Sequence, residues 1–97
     1  MAIKVIVELQ AKPGMRAELE SLLEQVVAKL GPGLPGMLSS TLFQALDNPD
    51  LLVEIADWVS VEARAAAMQE VMASGAYTPL ADLLAVPFRA TVVRELP

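Results

Sequence analysis

The sequence predicts one α+β domain with the element order β-α-β-β-α-β, and three observations predict it. Short runs whose apolar residues recur every second position alternate with longer runs of helical period. Clusters of Gly, Pro, Asp and Asn separate these runs. A chain of 97 residues is long enough for one domain and no more. We therefore treat residues 1–97 as a single domain.

The first predicted elements are a strand and a long helix. From Ile3 to Gln10, every second residue is apolar, so that these residues share one face of a strand. A Lys-Pro-Gly turn that ends at Gly14 stops the strand. From Met15 to Leu30, apolar residues follow the i, i+3, i+4 spacing of a helix stripe. The stripe consists of Leu19, Leu22, Leu23, Val26 and Leu30. The stop signal of this helix is Gly31-Pro32-Gly33.

A hairpin is predicted next. Met37 to Leu46 and Leu51 to Trp58 have the composition of strands, and the Asp-Asn-Pro-Asp segment between them supplies turn geometry. The second strand is apolar on both faces. One face has Leu51, Val53 and Ile55, and the other has Leu52, Ala56 and Trp58. Such a strand is expected to be buried on both sides.

The second helix is bounded by Ser60, a good N-cap, and by Gly75, a typical C-terminal stop. Its predicted apolar stripe is Val61, Ala65, Met68 and Met72. Pro79 suits the first turn of a short helix through Ala85.

A last strand follows from Phe88 to Glu95. The complete order is the ferredoxin-like arrangement, in which an antiparallel sheet has its helices on one face.

Composition excludes several classes of function. The net charge of −5 argues against a nucleic-acid surface and against attraction to anionic lipid. The chain has no Cys and no His. It therefore lacks disulfides, a thiolate nucleophile, His-based acid–base catalysis and the usual ligands of haem and transition metals. We expect no bound metal.

The apolar content predicts an oligomer. Hydrophobic residues make up 55% of the chain without Gly, whereas soluble domains average roughly 45–50% with Gly included. Neither a transmembrane segment nor a signal peptide is recognisable. We expect a cytoplasmic homodimer in which the bare faces of two sheets pack together, burying more than about 1,200 Å².

Glu54 and Trp58 are the first candidate site residues. They lie four residues apart and so share one face of a strand that ends just before a helix. Apolar neighbours would disfavour the charged carboxylate of Glu54 and make it a usable general base. Alternatively, Glu54 reaches water or pairs with an Arg, and Trp58 is only a core anchor.

Arg64, Met68 and Tyr77 are candidate ligand-binding residues. Arg64 either holds a substrate oxygen or forms a surface ion pair with Glu54, Asp57 or Glu62. Tyr77, the only Tyr, either orients a ligand through its hydroxyl or caps the core. Met68 would line the pocket, although Met most often fills a core.

Short motifs along the chain resemble the antibiotic biosynthesis monooxygenase family of dimeric α+β barrels. The segment from Asp47-x-Pro49 to Trp58-Val59-Ser60-x-Glu62-Ala63 carries most of the resemblance. Lys12-Pro13-Gly14 and Pro35-Gly36 are similar too, so that the resemblance covers essentially the whole chain. Where many members have His ten residues after the Trp, this chain has Met68. Four residues before the Trp, some oxygenating members have Asn, and this chain has Glu54. Two residues before the Trp, many members have Glu, and this chain has Ala56.

The resemblance implies a homodimer with a pocket between the sheet and the helices of each subunit. It also implies oxygenation of a small phenol or quinol by O₂ without metal, flavin or other cofactor. Glu54 would be the base, Trp58 a stacking wall, and Arg64 or Tyr77 a contact to a substrate oxygen. Two alternatives stay open at this point. One is a catalytically silent barrel that binds a small apolar ligand or a partner, and the other is an isomerase on the same fold.

Overall fold

The predicted order of strands and helices is confirmed by the computed structural model, which describes residues 2–30 and 34–97. The elements are β1 (Ile3–Gln10), α1 (Arg16–Leu30), β2 (Met37–Gln44), β3 (Leu51–Trp58), α2 (Val61–Ser74), α3 (Thr78–Ala81) and β4 (Arg89–Val93). The strands form one antiparallel sheet in the order β2-β3-β1-β4, which is the ferredoxin-like topology. The predicted stop at residues 31–33 and the side chain of Leu30 lie outside the described residues.

Three elements are shorter than predicted. β2 ends at Gln44, because Leu46 belongs to the hairpin turn and is 98% exposed. The short helix α3 ends at Ala81 rather than at Ala85. β4 is shorter than predicted because it pairs with β1 only from Arg89 to Val93.

The helix-facing side of the sheet forms the core. Register places Val5 opposite Ala56 and Leu9 opposite Leu52, so that β1 and β3 present a face that is apolar except for Glu54. α1 covers it with Leu19, which is fully buried, and these residues belong to two clusters of buried side chains. Strand parity had predicted this face.

Helix α2 begins and ends as the sequence predicts, but the predicted apolar stripe is wrong. The Ser60 hydroxyl accepts a hydrogen bond from the Ala63 amide at 3.1 Å, and Gly75 ends the helix at φ 75°. The buried residues are Ala67 and Val71, whereas three of the four predicted residues are exposed. Since nine of the fourteen helix positions are Ala, Val or Met, apolar spacing does not single out one face.

The start of β2 lies directly against α2. Gly36 has φ +89°, and a Cβ built on it would lie 2.7 Å from the Cβ of Ala63. The Gly36 carbonyl also accepts a hydrogen bond from the Val59 amide at 2.9 Å. Because only Gly combines this backbone angle with this contact, it sets the spacing between the strand and the helix.

The other face of the sheet has no helix packed on it among residues 2–30 and 34–97. Register places Ile6 opposite Ile55 at its centre. The further apolar residues of this open face are Phe43, Leu51, Val53 and Val93. At one end, Asp57 accepts hydrogen bonds from Lys4 at 2.6 Å and from Ser39 at 2.7 Å. No helix in the described part of the chain is long and apolar enough to span a membrane.

Candidate functional site

A cavity of about 310 Å³ lies between the helix-facing side of the sheet and the helices. Its wall is almost entirely apolar and includes Val5, Val7, Leu23, Val26, Val71 and Leu80. A concave apolar space with a few polar groups is the usual form of a small-molecule site. We call this space the main cavity.

All five side chains that the sequence singles out line the main cavity. They are Glu54, Trp58, Arg64, Met68 and Tyr77. β3 contributes the first two, α2 the next two, and the segment between α2 and α3 the last. Residues predicted from a strand, a helix and a loop thus line one cavity. Their position does not by itself assign a chemical role to any of these five side chains.

Trp58 is both a core residue and a wall of the main cavity. It is only 2% exposed and belongs to a buried cluster with Ile3, Val5, Ala56 and Ala67. One side of the indole is therefore fixed by packing while the residue still borders the cavity. The two interpretations of Trp58 are compatible.

Glu54 is partly buried and held by a serine. On the sheet its neighbours are Val7 of β1 and Leu42 of β2, both apolar. Its Oε2 accepts a hydrogen bond from the Ser40 hydroxyl at 2.9 Å. Neither Glu54 nor any other carboxylate of the described residues forms an ion pair with Arg64.

Tyr77 lies where burial and charge act on one hydroxyl. Burial, and secondly the negative charge of Glu54, raise the pKa of Tyr77 above its usual 10.0, while Arg64 acts in the opposite direction. The phenol is therefore neutral near pH 7 and can donate a hydrogen bond. Its ring contacts Phe88 edge-on, with centroids 5.9 Å apart at 62°.

Asp57 does not take part in this site. Hydrogen bonds from Lys4 and Ser39 lower its pKa below 3.8, and it points to the open face of the sheet. The predicted alternative of an Arg64–Asp57 pair is therefore absent from the described residues, and Asp57 is paired with Lys4 instead.

Two further residues at the site were missed. Phe88 lines the main cavity from the segment before β4, where the only sequence signal is Pro87 beside it. Ser40 touches Glu54 from β2, and no motif marks it. Ser40 and Glu54 also border a second cavity of about 230 Å³ between β2 and α1, which we call the β2–α1 cleft.

The chain is similar in sequence to one protein family. The family model described as antibiotic biosynthesis monooxygenase matches residues 2–78. No curated protein matches the chain in sequence.

Several solved structures have the same fold. A conserved protein from Methanosarcina mazei Go1 is 19% identical with a TM-score of 0.86, over 99% of this chain and 94% of that one. Rv0793 from Mycobacterium tuberculosis is 22% identical with a TM-score of 0.82, over 100% and 97% of the chains. SnoaB, a cofactor-independent oxygenase from Streptomyces nogalater, is 21% identical with a TM-score of 0.83, over 99% and 94%. At these identities the likeness shows the fold alone.

Proposed function

The chain belongs to the antibiotic biosynthesis monooxygenase family, and we propose that it is a cofactor-independent monooxygenase that oxygenates a small phenol or quinol with O₂. One observation carries the proposal. A carboxylate, an arginine and a tyrosine hydroxyl, from Glu54, Arg64 and Tyr77, meet in an otherwise apolar cavity walled by Trp58. SnoaB, which has the same fold, is a cofactor-independent oxygenase.

The reaction needs no outside reductant. Glu54 takes the proton of the phenol, and the phenolate is electron-rich enough to give one electron to O₂. The two radicals combine at a ring carbon to form a peroxide, which loses water and leaves a quinone. One oxygen atom enters the ring, the other leaves as water, and the four electrons that O₂ accepts all come from the substrate. The two hydrogens of that water account for the hydroxyl hydrogen and the ring hydrogen that the substrate loses.

The other side chains bind and orient the ring. Trp58 supplies a fixed face for stacking, and Met68 extends the apolar wall. Tyr77, neutral near pH 7, donates a hydrogen bond to a substrate oxygen, and Arg64 stabilises the phenolate charge. The apolar wall excludes water, which strengthens both interactions.

The test is oxygen uptake with a panel of hydroquinones, using Glu54→Gln as the key variant. We expect the parent to consume O₂ and the variant to lose at least about 100-fold of the rate, the lower range for a general base. Glu70→Gln is the matched control, because Glu70 is exposed on α2 and does not line the main cavity. Equal rates for Glu54→Gln and the parent would exclude Glu54 as the base.

The two alternatives predict different results in the same assay. A silent barrel would bind hydroquinones without consuming O₂. An isomerase would consume none either, but it would exchange substrate hydrogens with solvent in a way that depends on Glu54.

We also propose that the working unit is a homodimer formed through the open face of the sheet. Ile6, Ile55 and Phe43 give that face the apolar character of an obligate interface. A location in the cytoplasm stays a prediction from the sequence.

A further inference from the structure

Glu54 lines two neighbouring cavities, and Leu23 and Val27 of α1 also line both. It lines the main cavity together with Trp58 and Tyr77, and it lines the β2–α1 cleft together with Ser40 and Glu24. Ser40 is not part of the main-cavity wall. The Glu54 carboxylate is therefore within reach of a ligand in the main cavity and also borders the cleft, where Ser40 binds it.

The sheet register explains why Ser40 reaches this carboxylate. Ser40 pairs with Ala56, and Glu54 pairs with Leu42, so Ser40 and Glu54 are diagonal neighbours on the helix-facing side. Diagonal positions lie within reach of a long side chain such as Glu. Ser40 Oγ donates to Oε2 at 2.9 Å and is the only hydrogen-bond donor to Glu54 among the residues that the structure describes.

We propose that Ser40 is a positioning residue that fixes the Glu54 carboxylate where it borders both cavities, and that Ser40 and the β2–α1 cleft form the proton outlet of this base. The inference rests on the proposed role of Glu54. Glu54 takes a proton from a phenol, and the Ser40 hydroxyl then turns its hydrogen from Glu54 toward the cleft. In that orientation Ser40 Oγ accepts the proton from Glu54 and releases its own hydroxyl proton to solvent in the cleft. When the peroxide breaks down to quinone and water, the equivalent proton returns, so that a turnover changes the solvent proton count by zero.

The charges around Glu54 favour this direction. Arg64 of α2 and Tyr77 line the main cavity together with Glu54, whereas Glu24 of α1 lines the cleft. From β1 the neighbour is the apolar Val7. A cation on the ligand side and a carboxylate on the solvent side create a potential that draws a proton toward the cleft.

The experiment follows proton loss from a coloured phenol that need not react with O₂. Para-nitrophenol is bound to the full chain, the pH is raised rapidly, and the appearance of the phenolate colour of the bound dye is timed. The variants are Ser40→Ala, Ser40→Thr, which keeps a hydroxyl, and Ser39→Ala. Ser39→Ala is the matched control because Ser39 donates to Asp57 on the opposite face of the same strand at 2.7 Å.

We expect the rate of proton loss to be about tenfold lower in Ser40→Ala than in the parent. The rate should return to that of the parent in Ser40→Thr and should be unchanged in Ser39→Ala. In oxygen uptake, Ser40→Ala should lower kcat by a similar factor while KM changes little, since the ligand still meets Glu54. Equal proton loss in Ser40→Ala and the parent, or a parent that binds no dye, would overturn the inference. A parent that releases the proton through Ser40 but consumes no O₂ would overturn the oxygenase proposal alone.

Discussion

At the scale of single residues, the pKa of the Tyr77 hydroxyl depends on burial and on two charged neighbours. Burial and the charge of Glu54 both favour the neutral phenol, and Arg64 only partly opposes them. The folded protein therefore holds the Tyr77 proton to higher pH than the unfolded chain does. By linkage, this contribution to stability is complete below the unfolded pKa of about 10 and is lost as the pH rises through the higher folded pKa.

Tyr77→Phe should remove this alkaline pH dependence. The difference in unfolding free energy between the parent and Tyr77→Phe should be constant from neutral pH up to about pH 9 and should change in favour of Phe above pH 10. Urea unfolding of both proteins across this range measures the difference. A difference that stays constant to the highest pH would mean that the hydroxyl titrates alike in the folded and unfolded chains.

Which site residues the sequence can predict depends on whether their signal is local. Glu54 and Trp58 were predicted to share a face by parity alone, and the register confirms it. Ser40 was missed because its contact with Glu54 depends on the pairing of β2 with β3. That pairing contains an irregularity between Met37 and Ser39, which shifts the register and which no residue pattern announces.

At the scale of elements, the contact between β2 and α2 positions the cavity. Gly36 brings the strand against Ala63, one residue before Arg64 on the helix. The orientation of α2 then places Arg64 and Met68 at the cavity wall while Ala67 and Val71 are buried. The turn residues were visible in the sequence, but the buried face of an Ala-rich helix was not, because small apolar residues occupy nearly every side of it.

Gly36→Ala should destabilise the protein more than Gly14→Ala does. Both glycines have positive φ, which costs an Ala roughly 1–2 kcal/mol. At Gly14 the added Cβ meets nothing within 4 Å, whereas at Gly36 it lies 2.7 Å from Ala63. The free energy of unfolding in urea gives the two costs, and we expect the Gly36 variant to lose at least about 1 kcal/mol more, as overpacking does. Equal costs would mean that α2 shifts freely away from the strand.

At the scale of the whole molecule, the open face of the sheet is the surface that the proposed dimer would cover. Its central residues Ile6 and Ile55 are half-buried within one chain, and Phe43 is 48% exposed. Adjoining exposed apolar side chains of this kind are typical of an interaction surface.

Ile55→Lys should convert the predicted dimer to a monomer. A lysine at the centre of a face-to-face interface would be buried without a partner, which the dimer does not tolerate. Sedimentation at micromolar concentration should give the mass of two chains for the parent and of one for the variant. Val86→Lys is the control, because Val86 is 55% exposed in the segment before β4 and not on this face. A parent that sediments as one chain would contradict the dimer.

The main cavity also has a mechanical consequence. The main cavity of about 310 Å³ is walled by apolar side chains that hold water poorly, and the part of it that stays dry in the folded protein is lost on unfolding. We therefore expect hydrostatic pressure to favour unfolding of this protein, and Trp58 fluorescence can follow the transition. A phenol that fills the space should raise the pressure of half-unfolding in the parent, and should raise it less in a variant with Ala56→Leu, whose larger side chain partly fills the space. The pressure of half-unfolding thus reports whether a ligand occupies the main cavity, without any need for turnover.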